Sequence, residues 1–226
     1  MKILKATAYC LFIICAPLLL FTTTVRLEVN NMHTYEYGFT KYNISEVTNI
    51  EEEQLSRIAR RLIDYFNSKA ETPQIEELKL FQEHELVHLK DVKKLFQLDY
   101  RIQMVSLAYL IIYVLLFLLW GKRCWQDLAK GIRWGCALTL VLIATLSIAS
   151  VFNFDQLFIQ FHYLAFGDPS YSPWILDPSK DYLIRLFPPP FWQDIAMLGG
   201  IAIAVEALLL GGAAWAIPFI YQRRKH

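Results

Sequence analysis

The sequence lacks a dominant charge: 22 Lys and Arg stand against 21 Asp and Glu, so no polybasic or polyacidic surface is offered to nucleic acid or an acidic polymer. It lacks internal repeats and long polar low-complexity tracts, which sets aside solenoids and disordered chains. Cysteine is scarce and badly placed for staples. Cys10, Cys15 and Cys136 fall in apolar runs and Cys124 in a basic connection, so the polar segments have no disulfide available. What is abundant is apolar: 55% of the 226 residues are hydrophobic and 15% aromatic, too many for an ordinary soluble domain of this size. They are gathered into long uncharged runs, which points to the membrane.

A bilayer core about 30 Å thick needs roughly 20 apolar residues in a spanning helix. Four runs qualify, over residues 1–25 (apolar from Ala6), 104–120, 134–151 and 197–221. The first also has the basic start of a signal peptide, with Thr22-Thr23-Thr24 near a possible cleavage point; a lipoprotein signal is disfavoured because Tyr9 and Ile14 directly precede Cys10 and Cys15, and an uncleaved span is the better reading. The termini and the connection 121–133 carry Lys2, Lys5, Lys122, Arg123, Lys130, Arg133, Arg223, Arg224 and Lys225 against the single acid Asp127. Basic flanks stay in the cytoplasm. Segments 26–103 and 152–196, with 13 cations and 19 anions, are therefore expected outside, and the tail 222–226 inside.

The expected fold is an α-helical polytopic membrane protein: four transmembrane helices with a small α/β extracytoplasmic cap. Val25, Leu27 and Val29 alternate with Arg26 and Glu28, and 35–37 and 39–44 are rich in strand formers, so short strands are expected there. Thr48-Asn49-Ile50-Glu51 has the spacing of a helix-starting capping box, followed by an apolar face of Leu55, Ile58, Ala59, Leu62, Ile63 and Phe66. Asn67-Ser68-Lys69 ends that helix, and Thr72-Pro73 opens a second that continues into the span at 104. Segment 152–196 is aromatic and proline-broken, and reads as an interfacial anchor.

On the second helix His84, His88 and Asp91 stand at i, i+4 and i+7 and share a stripe edged by Phe81, Val92 and Leu95. A lipid-facing active site needs such a polar stripe, and a packed helix with satisfied histidines shows the same one. His84-Glu85-Leu86-Val87-His88 also spells the zinc-peptidase pattern of two histidines one turn apart with a glutamate base, for which His162, Asp168, Asp177 or Asp181 would have to supply a third ligand. None has a recognisable peptidase spacing. Glu206, about ten residues into the fourth span, must be neutral, paired or facing a cavity, and Gly199-Gly200 and Gly211-Gly212 suggest close helix packing there.

Two stretches then carry a resemblance. His88-Leu89-Lys90-Asp91-Val92-Lys93, and beyond the third span Phe161-His162, Trp174, Asp177-Pro178, Asp181-Tyr182-Leu183-Ile184 and Leu186-Phe187-Pro188, resemble the bacterial lipoprotein intramolecular transacylase family, over nearly the whole chain. The resemblance implies two essential histidines at His88 and His162. It implies transfer of the sn-2 acyl chain of an S-diacylglyceryl cysteine to that cysteine's own α-amino group, giving a lyso-form lipoprotein. The expected partners are a diacylated bacterial lipoprotein and membrane lipids, with no nucleic acid and no obligate protein partner, and no cofactor or metal is demanded. The expected place is the bacterial cell membrane, with the site outside. Asp91 is expected to orient an imidazole or a backbone amide, or else to be a plain helix-surface charge, Lys93 to meet a lipid phosphate or one of Asp177 and Asp181, and Trp174 to support the site. His84 and Glu85 depart from the family pattern.

The other classes are a membrane zinc metallopeptidase using residues 84–88 and a non-catalytic membrane sensor or accessory protein. A transacylase needs His88 and His162 and should tolerate Glu85→Gln; a peptidase needs His84, Glu85 and His88. A sensor converts nothing.

Overall fold

The computed structural model describes residues 2–70, 80–120, 125–170 and 173–223. The helix start expected at Thr72-Pro73 lies outside these residues, as do Lys122, Arg123, Cys124, Arg224 and Lys225. The described residues form eight helices: α1 (Lys2–Val29), α2 (Met32–Lys41), α3 (Ile44–Thr48), α4 (Glu52–Asn67), α5 (Glu83–Trp120), α6 (Trp125–Phe166), α7 (Tyr182–Leu186) and α8 (Pro189–Arg223). Four of them, α1, α5, α6 and α8, are long and apolar enough to cross a membrane. No strand is found among the described residues, so the expected α/β cap is corrected to an all-helical one.

The chain divides into two compact units. The first combines Met1–Val25, Tyr100–Ile148 and Leu198–His226. Small residues let its helices approach: an added Cβ on Gly135 would stand 2.7 Å from that of Ala16, one on Gly211 3.4 Å from that of Cys136, and one on Gly200 3.7 Å from Ile143. Tyr109 donates to the Ala8 carbonyl at 2.8 Å, and Phe12 lies 4.6 Å from Tyr113, ring to ring. Outward-facing side chains are apolar, with Val105, Val141 and Leu209 each more than 60% exposed. Such a sheath is stable in hydrocarbon and a liability in water.

The second unit combines Arg26–Asp99 and Ala149–Met197. The strand formers at 35–44 are helical here because Tyr35, Gly38 and Phe39 fall on one side of α2 and are buried, a helical rather than alternating pattern. Asn31 caps α2 by accepting from the His33 N–H, while Asn43 and Asn49 take left-handed conformations (φ 49° and 55°) at the two ends of α3. Asparagine tolerates that region better than most residues, so it supplies the breaks. The expected capping box also fails: Thr48 donates back to the Ile44 carbonyl at 2.6 Å, and the next helix starts after Glu51 without a side-chain cap. Its buried face is Leu55, Ile58, Ala59, Leu62, Tyr65 and Phe66, with Tyr65 where Ile63 was expected.

Two features position the later elements. Asn153 is non-helical within α6 (φ −160°, ψ 82°), and its side chain accepts from the Gln156 N–H at 3.0 Å, so the helix is broken and restarted by its own cap. Gly167, at φ +78°, ends α6 with its N–H on the Tyr163 carbonyl.

Candidate active site

His88 is on the first turns of α5 and His162 on the last turns of α6. Both stand in the second unit, outside the uncharged runs at 104–120 and 134–151. Their rings stack with centroids 6.0 Å apart and planes 29° from parallel. Both are buried. The walls are aromatic: Phe166 is edge-on to His88 at 5.0 Å, and Phe158, Trp174, Phe161 and Phe166 lie within 5.5 Å of the His162 centroid.

The hydrogen bonds fix one tautomer. His162 Nδ1 lies 2.8 Å from the Phe158 carbonyl, which can only accept, so Nδ1 holds the proton and Nε2 carries a lone pair. His88 Nδ1 is sealed from solvent and has no hydrogen-bond partner among the described residues. An unmet buried nitrogen costs about 1–3 kcal/mol, which is unusual enough to need a reason. Burial, then the neighbouring His162, pushes the His88 imidazole down to about 4, with Asp91 opposing. Burial also lowers His162, against the pull of the Phe158 carbonyl. Two neutral imidazoles therefore face each other at neutral pH.

The remaining residues of the stripe go elsewhere. His84 Nε2 donates to Asp181 Oδ1 at 3.0 Å. Asp91 accepts from Lys94 at 2.7 Å. Lys93 is buried, but the acid partners expected for it are not the ones it meets: its Nζ donates to the Ala70 carbonyl and Ser68 Oγ and stands 4.1 Å over the Tyr65 ring. Burial lowers the pKa of so dry a lysine, and the carbonyl and π-face contacts favour its charged form against that. Trp174 donates from Nε1 to the Gly167 carbonyl at 3.0 Å. Asp177 is half-exposed and holds its own turn through Ser179, and those bonds keep its carboxyl below the usual range. Asp168 does the same with Ser170.

The zinc-peptidase donor set does not assemble. Glu85 is fully buried, with Oε2 accepting from the Gln82 N–H at 2.7 Å and Oε1 from the Leu183 N–H at 2.6 Å, so neither oxygen is turned to a reacting water. His84 is committed to Asp181, and no group of three His, Cys, Asp or Glu side chains among the described residues has the spacing to hold a metal. His84 and Glu85 are thus spent on joining two helix starts. Sequence reasoning missed that role, and it missed Phe158 and Phe166, which stand four residues either side of His162 and were legible as one helical face.

Comparison with known proteins bears on the whole chain. The family model described as lipoprotein intramolecular transacylase Lit matches residues 10–192. No curated protein matches the sequence. Among solved structures, a membrane-integral lipoprotein intramolecular transacylase Lit from Bacillus cereus is similar at TM-score 0.80 and 18% identity, with all of both chains covered. Structures of a histidine-to-arginine and a histidine-to-alanine variant of that protein each align at TM-score 0.79 and 17% identity, covering all of this chain and 96% and 97% of theirs. At such identity these structures establish the fold alone.

Proposed function

We propose, since the chain belongs to the lipoprotein intramolecular transacylase family and is an acyltransferase of the membrane, that His88 and His162 together carry the proton transfers of its reaction. The substrate is the S-diacylglyceryl cysteine at the N-terminus of a lipoprotein, met on the extracytoplasmic side. The α-amino nitrogen attacks the sn-2 ester carbonyl. A C–N bond forms at the ester carbonyl carbon, the bond from that carbon to the glyceryl oxygen breaks, the nitrogen loses a proton and the leaving glyceryl oxygen gains one. Ester and amine become amide and alcohol with no co-reactant.

The observation that carries this reading is the stacked pair of buried, neutral imidazoles. His162 Nε2, unprotonated because Nδ1 is held on the Phe158 carbonyl, takes the amine proton. That proton then passes to the leaving glyceryl oxygen through His88, whose depressed pKa makes its transient protonated form a strong acid, so both imidazoles end as they began, neutral. Nucleophile and ester belong to one molecule, so holding them together supplies much of the acceleration. Aromatic walls exclude water, which would otherwise compete with the amine for the ester.

The test is mass spectrometry of one lipoprotein's N-terminal lipopeptide from a host lacking N-acylating enzymes. The parent protein should give the lyso form, and His88→Ala and His162→Ala should each lower its rate by about 10²–10⁴, the usual worth of a general acid or base. Conversion by both alanine variants at the parental rate would sink the proposal.

A further inference from the structure

We infer that Glu85 is a positioning residue of the transfer reaction, a clasp that holds the Trp174 wall, and through it His162, against His88; the inference rests on the function proposed above. Three hydrogen bonds join residues 82–85, at the start of α5, to residues 180–183, at the start of α7: Gln82 Nε2 to the Lys180 carbonyl, His84 Nε2 to Asp181 Oδ1, and the Leu183 N–H to Glu85 Oε1. The first is long and exposed at 3.3 Å, and the second involves a histidine side chain 38% exposed. Only the Glu85 bond is fully dry; burial raises the Glu85 pKa, and the two amide N–H groups on its oxygens oppose that rise. The same carboxylate takes the Gln82 N–H, so one side chain satisfies an amide at the start of each helix.

From this clasp the chain leads to both histidines. His88 follows Glu85 by three residues on α5. On the other side, Asp181 Oδ2 accepts from the Asp177 N–H at 2.7 Å, tightening the turn that precedes α7. Trp174 enters that turn, donates to the Gly167 carbonyl at the end of α6, and lays its ring 5.3 Å from His162. The contacts therefore close a circuit from Glu85 through residues 174–183 to His162, then across the stacked rings to His88. A carboxylate is required because both its neighbours are donors. Glutamine keeps the size but turns an NH2 group toward one of the two amides, and the clasp opens. The tolerance of Glu85→Gln expected from sequence is thereby reversed.

The experiment uses the full-length protein in phospholipid vesicles with a synthetic S-diacylglyceryl-cysteinyl peptide, and compares the parent with Glu85→Gln, Asp181→Asn and the double variant. Glu85→Gln should lower kcat at least tenfold with KM within twofold, at a temperature where the variant is fully folded. The double variant should be no slower than the slower single one, because both residues act through one joint. Hydrogen exchange, measured alongside, should quicken in 174–187 and stay unchanged in α4. Parental kcat in Glu85→Gln, additive losses in the double variant, or unchanged exchange in 174–187 would each overturn the clasp. Should Glu85→Gln fail to fold, Asp181→Asn carries the same comparison. A parent that converts no peptide would sink the proposed function separately, and exchange would still decide the clasp.

Discussion

His88 shows what burial does to one side chain. Its folded-state pKa of about 4 lies below the ordinary histidine value near 6.5, so the unfolded chain takes up the proton first as pH falls. The contribution to stability is complete above about pH 6.5 and is lost progressively on acidification toward pH 4. The melting temperature of the parent should fall between pH 7 and pH 5 more than that of His88→Gln, which has no proton to gain; equal falls would show that His88 is not held neutral. The reaction should follow the same logic. With His88 already neutral, the group limiting kcat/KM below pH 8 is the substrate's α-amino group, whose pKa is about 7.7–8.0. The profile should rise to about pH 8 and flatten, and an inflection near 6.5 would place an ordinary histidine in the rate law instead.

Between elements, the outcome turns on what lies opposite a given position. A Cβ added to Gly38 in α2 would stand 2.0 Å from Cδ2 of Phe191, whose ring is almost wholly buried at the start of α8. Alanine in a helix gains roughly 0.5–1 kcal/mol over glycine, but forcing a packed ring aside costs about 1–3 kcal/mol, so the clash wins. Gly38→Ala should lower the melting temperature, whereas Gly212→Ala, which meets nothing within 4 Å, should leave it unchanged or slightly raised. A Gly38→Ala protein as stable as the parent would mean that α2 and α8 can separate at little cost. The same dependence on the opposite face explains what the sequence could and could not reveal. Long apolar runs were legible because nothing but a membrane accommodates them, and the apolar face of α4 because its period is helical. The cap was misread as partly stranded because Tyr35, Phe39 and Ile44 favour strands locally, and only their burial against other helices, with Phe187 5.9 Å from both Tyr35 and Phe39, decides otherwise. His88 and His162 were found through the family resemblance. Glu85 was not, because its second partner is an amide 98 residues away that no local pattern announces.

At the scale of the whole molecule, the distribution of charge bears on sidedness. The positive-inside rule counts cations in connections shorter than about 60 residues, so the long segment 26–103 has little say. The decision falls to the connection 121–133, which carries four cations and one acid, and to the basic residues at the two ends. By that rule the termini should face the cytoplasm and His88 and His162 the outside, the side the proposed lipoprotein substrate requires. Reporter fusions test this without reference to activity. A phosphatase that folds only outside the cell should be active when joined after Asn49 and inactive after Lys130, and a fluorescent protein that folds only in the cytoplasm should give the opposite pattern. The reverse pattern would put both histidines on the cytoplasmic side. The active site would then open on the wrong leaflet for an anchored lipoprotein, and the proposed substrate would fail even with the imidazole pair intact.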